Sequence, residues 1–364
     1  MFLPPRNVSG HGLIDFATTV SPFGPSKAVC GAVQAAAAHL DEPADASCSE
    51  LCRQIAESEG VDASYVYCGA DTADLAQRLI TAIAPKKALL PAPSYGIYDT
   101  LLENAGCAVS RCMLWETKGF SLTDGFLDAL KPEHDIVFLC QPNNPTGLMV
   151  PQQLLLSIIE QCAQSGIYLV LDECFLDFLE NPMLSSEKPL LKRYPNLILL
   201  KSPSVTHGMA GLKLAYCITS NRQLTAQLRR SPMPCTISSL TQTAGIVAVQ
   251  DEDYVRQARL VFARERARII PLLQNAGATV YPGTANFLLF RTPVAELSSL
   301  LLMQGFLVHD CSDCTGLSAG YCRLSLRSPV ENTSLAGQIR DILKKNGVST
   351  PRNPLPVPDA DEIE

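Results

Sequence analysis

Residues 196–213 read Asn-Leu-Ile-Leu-Leu-Lys-Ser-Pro-Ser-Val-Thr-His-Gly-Met-Ala-Gly-Leu-Lys. The apolar run that ends at Leu200 predicts a buried strand. Two hydroxyl side chains, Ser202 and Ser204, follow the strand, and Lys213 stands before a second apolar run. Because hydroxyl groups, a glycine turn and a cation after a strand suit a phosphate group, we expect a phosphate site here.

Two earlier apolar runs also end in polar residues. Residues 135–140 are Asp-Ile-Val-Phe-Leu-Cys and lead into Gln-Pro-Asn-Asn-Pro-Thr-Gly, which contains Asn144. Residues 167–171 are Ile-Tyr-Leu-Val-Leu and lead into Asp172. Apolar runs without alternation are typical of parallel strands covered on both faces, and such sheets bind ligands at the carboxyl ends of their strands. We therefore predict that Asn144 and Asp172 share one site.

Two segments nearer the N-terminus suggest further ligand contacts. Residues 69–72, Gly-Ala-Asp-Thr, lie between a short predicted strand and a predicted helix over 73–83. The unpaired N–H groups at the start of a helix form an anion site. Residues 93–98, Pro-Ser-Tyr-Gly-Ile-Tyr, follow the next strand and end in Tyr98, whose flat apolar ring carries a polar hydroxyl.

Taken in order, these segments resemble those of fold-type I pyridoxal-phosphate enzymes of the aminotransferase class I/II family. The resemblance covers residues 14–345 and, within the family, is to threonine-phosphate decarboxylases and histidinol-phosphate aminotransferases. It implies an α/β fold, with a large domain on a mostly parallel sheet and a smaller α+β domain. The implied division is an N-terminal segment joining the small domain (1–40), a large cofactor-binding domain (41–245), a small C-terminal domain (246–348) and a disordered tail (349–364).

The resemblance implies pyridoxal 5′-phosphate as cofactor, a small phosphorylated amino acid as substrate and a homodimer. It places Tyr98 against the pyridine ring, Asn144 on the phenolic oxygen and Asp172 on the ring nitrogen, which an anion keeps protonated. The implied phosphate contacts are Gly69, Ala70, Asp71, Ser202, Ser204 and Lys213. The implied substrate contacts are Thr19, Arg323 and Arg327. Of the two arginines, Arg323 corresponds to the one that clamps the substrate carboxylate.

Phe175 and Asp177 favour one branch of the family. Residues 172–178, Asp-Glu-Cys-Phe-Leu-Asp-Phe, resemble the threonine-phosphate-decarboxylase form, whereas histidinol-phosphate aminotransferases usually have tyrosine where Phe175 stands. Segments of the decarboxylases also resemble residues 227–235, 280–290 and 321–328. The implied reaction is decarboxylation, or alternatively transamination, of a phosphorylated amino acid.

Several positions depart from the family pattern, above all Val205. The family has its Schiff-base lysine eight residues before an arginine, whereas this chain has Val205 eight residues before Lys213. Lys213 keeps the arginine's charge but loses its two-pronged hydrogen bonding. Thr19 and Ser21 replace two asparagines, and the acidic residues 41–42 replace a tyrosine that precedes proline.

A valine can neither hold the cofactor nor move a proton, so two nearby side chains are candidates for those roles. Lys201 is four residues early, at the end of the predicted strand, and His207 is a speculative general base near neutral pH. Three hypotheses stay open. The chain is a working pyridoxal-phosphate enzyme with an unusual base, a pseudoenzyme that binds cofactor or ligand non-covalently without turnover, or a non-catalytic partner subunit.

Composition and charge limit the other possibilities. The chain has 364 residues, 47% of them apolar, which suits one large and one small globular domain. A net charge of −7 argues against nucleic acid as partner. The sequence shows neither a membrane-spanning apolar run nor a secretory signal, so we expect a cytoplasmic protein with no membrane partner.

The 14 cysteines are expected to stay reduced in that compartment. Cys311 and Cys314 are the one close pair among them. Because no further ligand is evident beside them, we interpret both as ordinary thiols and predict no metal site.

Overall fold

The computed structural model describes residues 12–179, 181–230, 237–349, 351 and 354–358. Its strands, numbered along the chain, are β1 (Ile14–Asp15), β2 (Val66–Gly69), β3 (Lys87–Ala92), β4 (Ala108–Met113), β5 (Ile136–Cys140), β6 (Tyr168–Asp172), β7 (Leu197–Lys201), β8 (Ala215–Ile218), β9 (Thr279–Tyr281), β10 (Phe287–Arg291), β11 (Phe306–Leu307), β12 (His309–Asp310) and β13 (Tyr321–Ser325). Its α-helices are α1 (Lys27–Ala36), α2 (Ser49–Glu59), α3 (Thr72–Ile83), α4 (Ile97–Asn104), α5 (Gly125–Ala129), α6 (Gln152–Ser165), α7 (Pro182–Ser185), α8 (Pro203–Thr206), α9 (Arg222–Arg229), α10 (Ser239–Ala248), α11 (Glu252–Ala276), α12 (Leu297–Met303) and α13 (Pro329–Lys345).

The larger sheet contains the three strands that precede Asn144, Asp172 and Ser202. Its strand order is β2-β8-β7-β6-β5-β3-β4, and its pairings are parallel except for the two made by β8. β5 and β7 are buried over their whole length, as their unbroken apolar runs predict. Because β5, β6 and β7 run in one direction, their carboxyl ends lie along one edge of the sheet.

Helices cover both faces of this sheet. Successive strand residues point to opposite faces, so Leu199 packs in one apolar cluster and Leu200 in the other. The first cluster includes residues of α2 and α6, and the second includes residues of α3, α4 and α9. The edge with the carboxyl strand ends is left between the two layers of helices.

The smaller sheet is antiparallel, with strand order β12-β13-β10-β9. It shares an apolar cluster with α11 and α13. The start of the chain joins this part of the molecule, because β1 pairs with β11 and the Ser325 N–H donates to the Phe16 carbonyl at 2.8 Å. These contacts support the expected association of the N-terminal segment with the small domain, whose boundaries stay a prediction.

Both ends of the described chain make hydrogen bonds with neighbouring elements. Ser26 caps α1 by accepting a hydrogen bond from the Val29 N–H, which is the role that its place before an apolar helix predicts. Leu355, in the segment expected to be a disordered tail, exchanges hydrogen bonds of 2.7 and 2.9 Å with Asn275 of α11. The extent of disorder in the tail stays a prediction.

Residues 231–235, part of a segment that resembles the decarboxylases, lie outside the described residues. Among the helices that are described, none has both the length and the apolar character that crossing a bilayer requires.

Candidate functional site

Asn144 and Asp172 lie at neighbouring strand ends, as predicted. Asp172 is the last residue of β6 and is paired in register with Cys140, the last residue of β5. Asn144 follows four residues later. Both polar side chains are buried, with 5% of Asn144 and 4% of Asp172 exposed. Buried polar groups need partners, and the partners of these two define the site.

Tyr98 is the partner of Asp172. Its hydroxyl donates to Oδ2 of Asp172 at 2.5 Å, while the Cys174 N–H donates to Oδ1 at 3.0 Å. The Tyr98 ring stacks on Phe138 with the two centroids 4.6 Å apart. Burial raises the pKa of Asp172, and the hydrogen bonds from Cys174 and Tyr98 oppose that rise. A ligand nitrogen at Asp172 therefore has to share or displace the Tyr98 hydroxyl.

Arg323 of β13 is the partner of Asn144 and joins the smaller sheet to the larger one. Its Nη1 donates to Oδ1 of Asn144 at 2.6 Å, and its Nη2 donates to the Ala17 carbonyl at 2.7 Å. The guanidinium carbon lies 5.5 Å from the ring centroid of Phe287, within the range of a cation–π contact. The predicted carboxylate-binding arginine is thus held in place on three sides.

Arg327 is buried close to the N-terminal segment. Its Nη1 donates to the Asp15 carbonyl at 2.8 Å, and its Nη2 donates to Glu331 at 2.9 Å. The carbonyl of Thr19, another predicted substrate contact, accepts a 2.8 Å hydrogen bond from Asn286. Both predicted substrate arginines therefore bond to the backbone of the N-terminal segment that carries Thr19.

Three buried polar atoms on and just after β13 have no hydrogen-bond partner in the described part of the chain. They are Nε of Arg323, Nε of Arg327 and Oγ of Ser325. An unsatisfied buried donor costs about 1–3 kcal/mol, and more when the group is charged. Two of these donors belong to cations, so a ligand with anionic oxygens would satisfy them.

The predicted phosphate residues come together but are engaged with one another. The Ala70 N–H donates to Asp74 at 3.0 Å, and Asp71 caps α3 by accepting from the Asp74 N–H at 2.8 Å. Lys213 lies 3.4 Å from Asp71. The helix start after Gly69 therefore already carries two carboxylates, which repel a phosphate dianion.

The two predicted hydroxyl groups both bond to the backbone of Leu214, one as donor and one as acceptor. Ser202 donates to the Leu214 carbonyl at 2.9 Å, and Ser204 accepts from the Leu214 N–H. These bonds tie α8 to the start of β8. The Ser202 hydroxyl thus already donates to a carbonyl, whereas the Ser204 hydroxyl accepts and keeps its proton to donate. Contact of either hydroxyl with a phosphate stays a prediction.

Val205 lies on α8 and is half-buried. It packs against the apolar cluster that contains Phe287, the ring beneath Arg323, and Cys174, two residues after Asp172. Its carbonyl accepts a 2.9 Å hydrogen bond from the Ser21 N–H. Val205 thus contacts an apolar cluster that reaches both Arg323 and Asp172. Its side chain has no amine.

Lys201 is committed to buried ion pairs. Its Nζ lies 2.9 Å from Glu59 and 3.1 Å from Asp177, and only 6% of the residue is exposed. Burial lowers the pKa of Lys201, but Asp177 and Glu59 outweigh burial and hold the pKa well above its usual value. A protonated amine is not a nucleophile, so the structure argues against Lys201 as a replacement for the missing lysine.

His207 lines a cavity of about 590 Å³ together with Lys201, Asp177 and Glu59. Its Nδ1 is 2.8 Å from Oγ1 of Thr206. Burial lowers the pKa of His207, which favours the neutral ring. Asn144 and Asp172 are not among the residues that line this cavity. The suggested role of His207 as a base at the cofactor site gains no support from this position.

Sequence reasoning missed His309, which lies beside Cys311 and Cys314. Its spacing, two residues before Cys311, was the available signal. Hydrogen bonding by Cys311 and His309 lowers the pKa of Cys314 below its usual value.

Comparison with known proteins identifies the family of this chain. Residues 23–339 match the family described as Aminotransferase class I and II. The threonine-phosphate decarboxylase of Salmonella typhimurium is 33% identical over 339 residues, covering 92% of this chain and 93% of the relative.

Two solved structures show the same fold. The histidinol-phosphate aminotransferase from Clostridium acetobutylicum has a TM-score of 0.85 at 22% identity, over 92% of this chain and 100% of its own. The corresponding enzyme from Sinorhizobium meliloti, solved in complex with pyridoxal-5′-phosphate, has a TM-score of 0.80 at 20% identity, over 92% and 91% of the two chains. These likenesses confirm the predicted fold-type I architecture, and the sequence matches show that this chain belongs to the aminotransferase class I and II family.

Proposed function

We propose that this protein is threonine-phosphate-decarboxylase-like, binds a small phosphorylated amino acid and holds pyridoxal phosphate without a covalent link. The observation that carries the proposal is a contrast between two positions of the candidate site. Arg323 is buried against Asn144 with an unpaired Nε, so it is prepared for an anion. Val205, in contrast, supplies no amine at the position where the family has its lysine.

Pyridoxal phosphate is the cofactor that the family indicates, and the residues of this chain fit it only in part. Tyr98, Asn144 and Asp172 are of the kinds that contact its ring. Val205 cannot form the covalent link, and the Ala70 N–H is already bonded to a carboxylate. When bound in enzymes, the cofactor withdraws electrons from the α-carbon of an amino acid. The poor fit at the phosphate end supports weak, non-covalent binding.

The chain's own residues supply binding and orientation. The Arg323 guanidinium suits the carboxylate of an amino acid, because charge-assisted hydrogen bonds from a planar fork fix both position and angle. The Nε of Arg327 and the hydroxyl of Ser325 are buried and unpaired, and they suit a second anionic group. A phosphorylated amino acid carries two such groups, which supports this class of ligand over a simple amino acid.

Reduction with borohydride tests the proposal directly. The natural protein should bind pyridoxal phosphate in equilibrium dialysis, yet reduction should fix no pyridoxyl group within the cleft. Peptide mapping distinguishes cleft lysines from exposed ones. A pyridoxyl group at Lys201, together with product formation from O-phospho-L-threonine, would overturn the proposal.

An active lyase or aminotransferase is the second candidate function. It is favoured by the presence of Asp172 at the end of β6, the position where an anion activates the cofactor ring. This candidate needs a base other than the usual lysine. Release of carbon dioxide from O-phospho-L-threonine, or transfer of its amino group, would favour this candidate if the rate with the natural protein exceeds the rate with a heat-treated sample.

Replacing the central arginine should weaken ligand binding. Arg323→Gln keeps a hydrogen-bonding side chain but removes the charge, and hydrogen bonds to charged groups contribute about 1.5–3 kcal/mol. We therefore expect the Kd for O-phospho-L-threonine to rise roughly 10- to 100-fold. Isothermal titration calorimetry measures the change.

The control for this prediction is Arg340→Gln, which removes a half-exposed arginine of α13 that pairs with its neighbour Asp341. It should leave the Kd unchanged. Equal affinities for the Arg323→Gln variant and the natural protein, with both folded, would place the ligand elsewhere.

A further inference from the structure

We propose that His309, Cys311 and Cys314 form a binding site for Zn²⁺ at the edge of the smaller sheet. One ligand atom from each residue, an imidazole nitrogen and two sulfurs, lies within 4.8 Å of the other two. The proposal is independent of the function suggested above, because it rests on a cluster outside the cofactor contacts.

The separations suit a small tetrahedral ion. Two thiolate sulfurs, each about 2.3 Å from a tetrahedral zinc, lie roughly 3.8 Å apart. Side chains whose ligand atoms are already within 4.8 Å need to move by about an ångström to close on the ion. Thiolate and imidazole together select zinc over magnesium or calcium, which prefer oxygen.

The backbone holds these residues in a compact turn. The Cys311 N–H donates to the Tyr321 carbonyl at 3.0 Å, and the Cys314 N–H donates to the Cys311 carbonyl at 3.1 Å. Asp310 accepts from the Ser312 N–H at 2.9 Å and from the Ser298 hydroxyl at 2.7 Å. Because the turn is fixed before any ion binds, little conformational entropy is lost on binding.

The exposure of the three residues allows an ion to enter. Cys311 is fully buried, whereas His309 and Cys314 are half-buried. Both sulfurs are free thiols in the structure. Three protein ligands leave a fourth position, which water fills in zinc sites that bind and exchange ligands. The exposed carboxylate of Asp313, 3.9 Å from Sγ of Cys314, is a candidate to replace that water.

The position of the cluster connects it to the ligand site. His309 is directly opposite Arg323 in the register of β12 and β13, so the two side chains share one face of the sheet. A side-chain carbon at Gly316, two residues after Cys314, would lie 3.2 Å from the Ala92 carbonyl at the end of β3. A bound ion would therefore hold in place the segment 309–316, which runs from the smaller sheet to the larger one.

Cobalt substitution tests the site on the whole protein. Natural protein, reduced and then freed of metal by a chelator, should take up one Co²⁺ per chain and show the visible absorption of tetrahedral cobalt with a thiolate charge-transfer band. Zn²⁺ should displace that signal. A protein that binds no Co²⁺, or shows only the weak spectrum of octahedral cobalt, would overturn the proposal.

Single substitutions assign the ligands. Cys314→Ser and His309→Asn should each lower Zn²⁺ affinity by more than the roughly 10- to 100-fold that loss of an outer-shell partner costs. Cys30→Ser, which changes a half-buried cysteine on α1, is the matched control and should bind as the natural protein does. Circular dichroism confirms that each variant is folded. Unchanged affinity in Cys314→Ser, or a disulfide between Cys311 and Cys314 in reduced preparations, would contradict the assignment.

Discussion

The Val205→Lys variant becomes covalently labelled when it is incubated with pyridoxal phosphate and reduced with borohydride, whereas the natural protein does not. This is the expected result if the cleft still admits the cofactor. Val205 packs against the apolar cluster that also holds Phe287, over which Arg323 lies, and Cys174, whose N–H donates to Asp172. An amine placed there has the aldehyde within reach, and such proximity strongly favours the bimolecular step.

The expected change is from no specific label to nearly one label per chain, located at the substituted position. Intact-mass spectrometry measures the stoichiometry, and peptide mapping gives the site. Val205→Met is the control, because methionine has a similar length and no amine. A folded Val205→Lys variant that stays unlabelled would show that the cleft excludes the cofactor, and a labelled Val205→Met variant would place the reactive amine elsewhere.

In the Val205→Lys variant, the covalent link should also make up for weak binding of the cofactor phosphate. In the structure, Asp71 and Asp74 occupy the start of α3, and Lys213 pairs with Asp71 at 3.4 Å. Two carboxylates at a helix N-terminus are stabilised by its dipole and compete with a phosphate for the same N–H groups. Binding energy is therefore expected mainly from the ring and, in the variant, from the new bond.

The parts of this fold that were predictable depend on local patterns. Unbroken apolar runs identified β5, β6 and β7, and polar residues at their ends identified Asn144 and Asp172. Parallel strands bring their carboxyl ends together whatever the rest of the chain does, so this inference needed no knowledge of packing.

The parts that were missed depend on contacts between distant residues. The hydrogen bond from Tyr98 to Asp172 joins residues 74 apart. The ion pair of Lys201 with Glu59 cannot be read from either segment alone. His309 is different, because it lies two residues before Cys311 and its spacing was visible in the sequence.

The second large effect is expected at Glu59, the last residue of α2. Its carboxylate pairs with Lys188 and, at 2.9 Å, with Lys201, and it accepts a hydrogen bond from the Tyr216 hydroxyl. The Glu59 side chain is only 8% exposed, the Lys188 side chain 10% and the Lys201 side chain 7%. Removing one partner of a buried ion pair leaves an uncompensated charge and typically costs about 3–5 kcal/mol.

We therefore expect Glu59→Gln to lower the free energy of unfolding by about 3–5 kcal/mol, measured by urea denaturation at neutral pH. Glu57→Gln is the matched control on the same helix. Glu57 pairs with Arg53 at 3.3 Å, but 70% of its side chain is exposed. Exposed pairs contribute about 0–1 kcal/mol, so this variant should unfold almost as the natural protein does.

The pH dependence distinguishes an ionic effect from a packing defect. Burial raises the pKa of Glu59, but Lys201 and Lys188 outweigh burial and lower it from 4.5 to about 2. A carboxyl whose pKa is lowered on folding adds stability above its unfolded pKa and loses it as the pH falls toward the folded pKa. The difference between natural protein and Glu59→Gln should hence be constant above about pH 5 and shrink as the pH falls from 4.5 toward 2. If the difference in the free energy of unfolding stayed the same over this pH range, side-chain packing rather than charge would hold Lys201 in place at the end of β7.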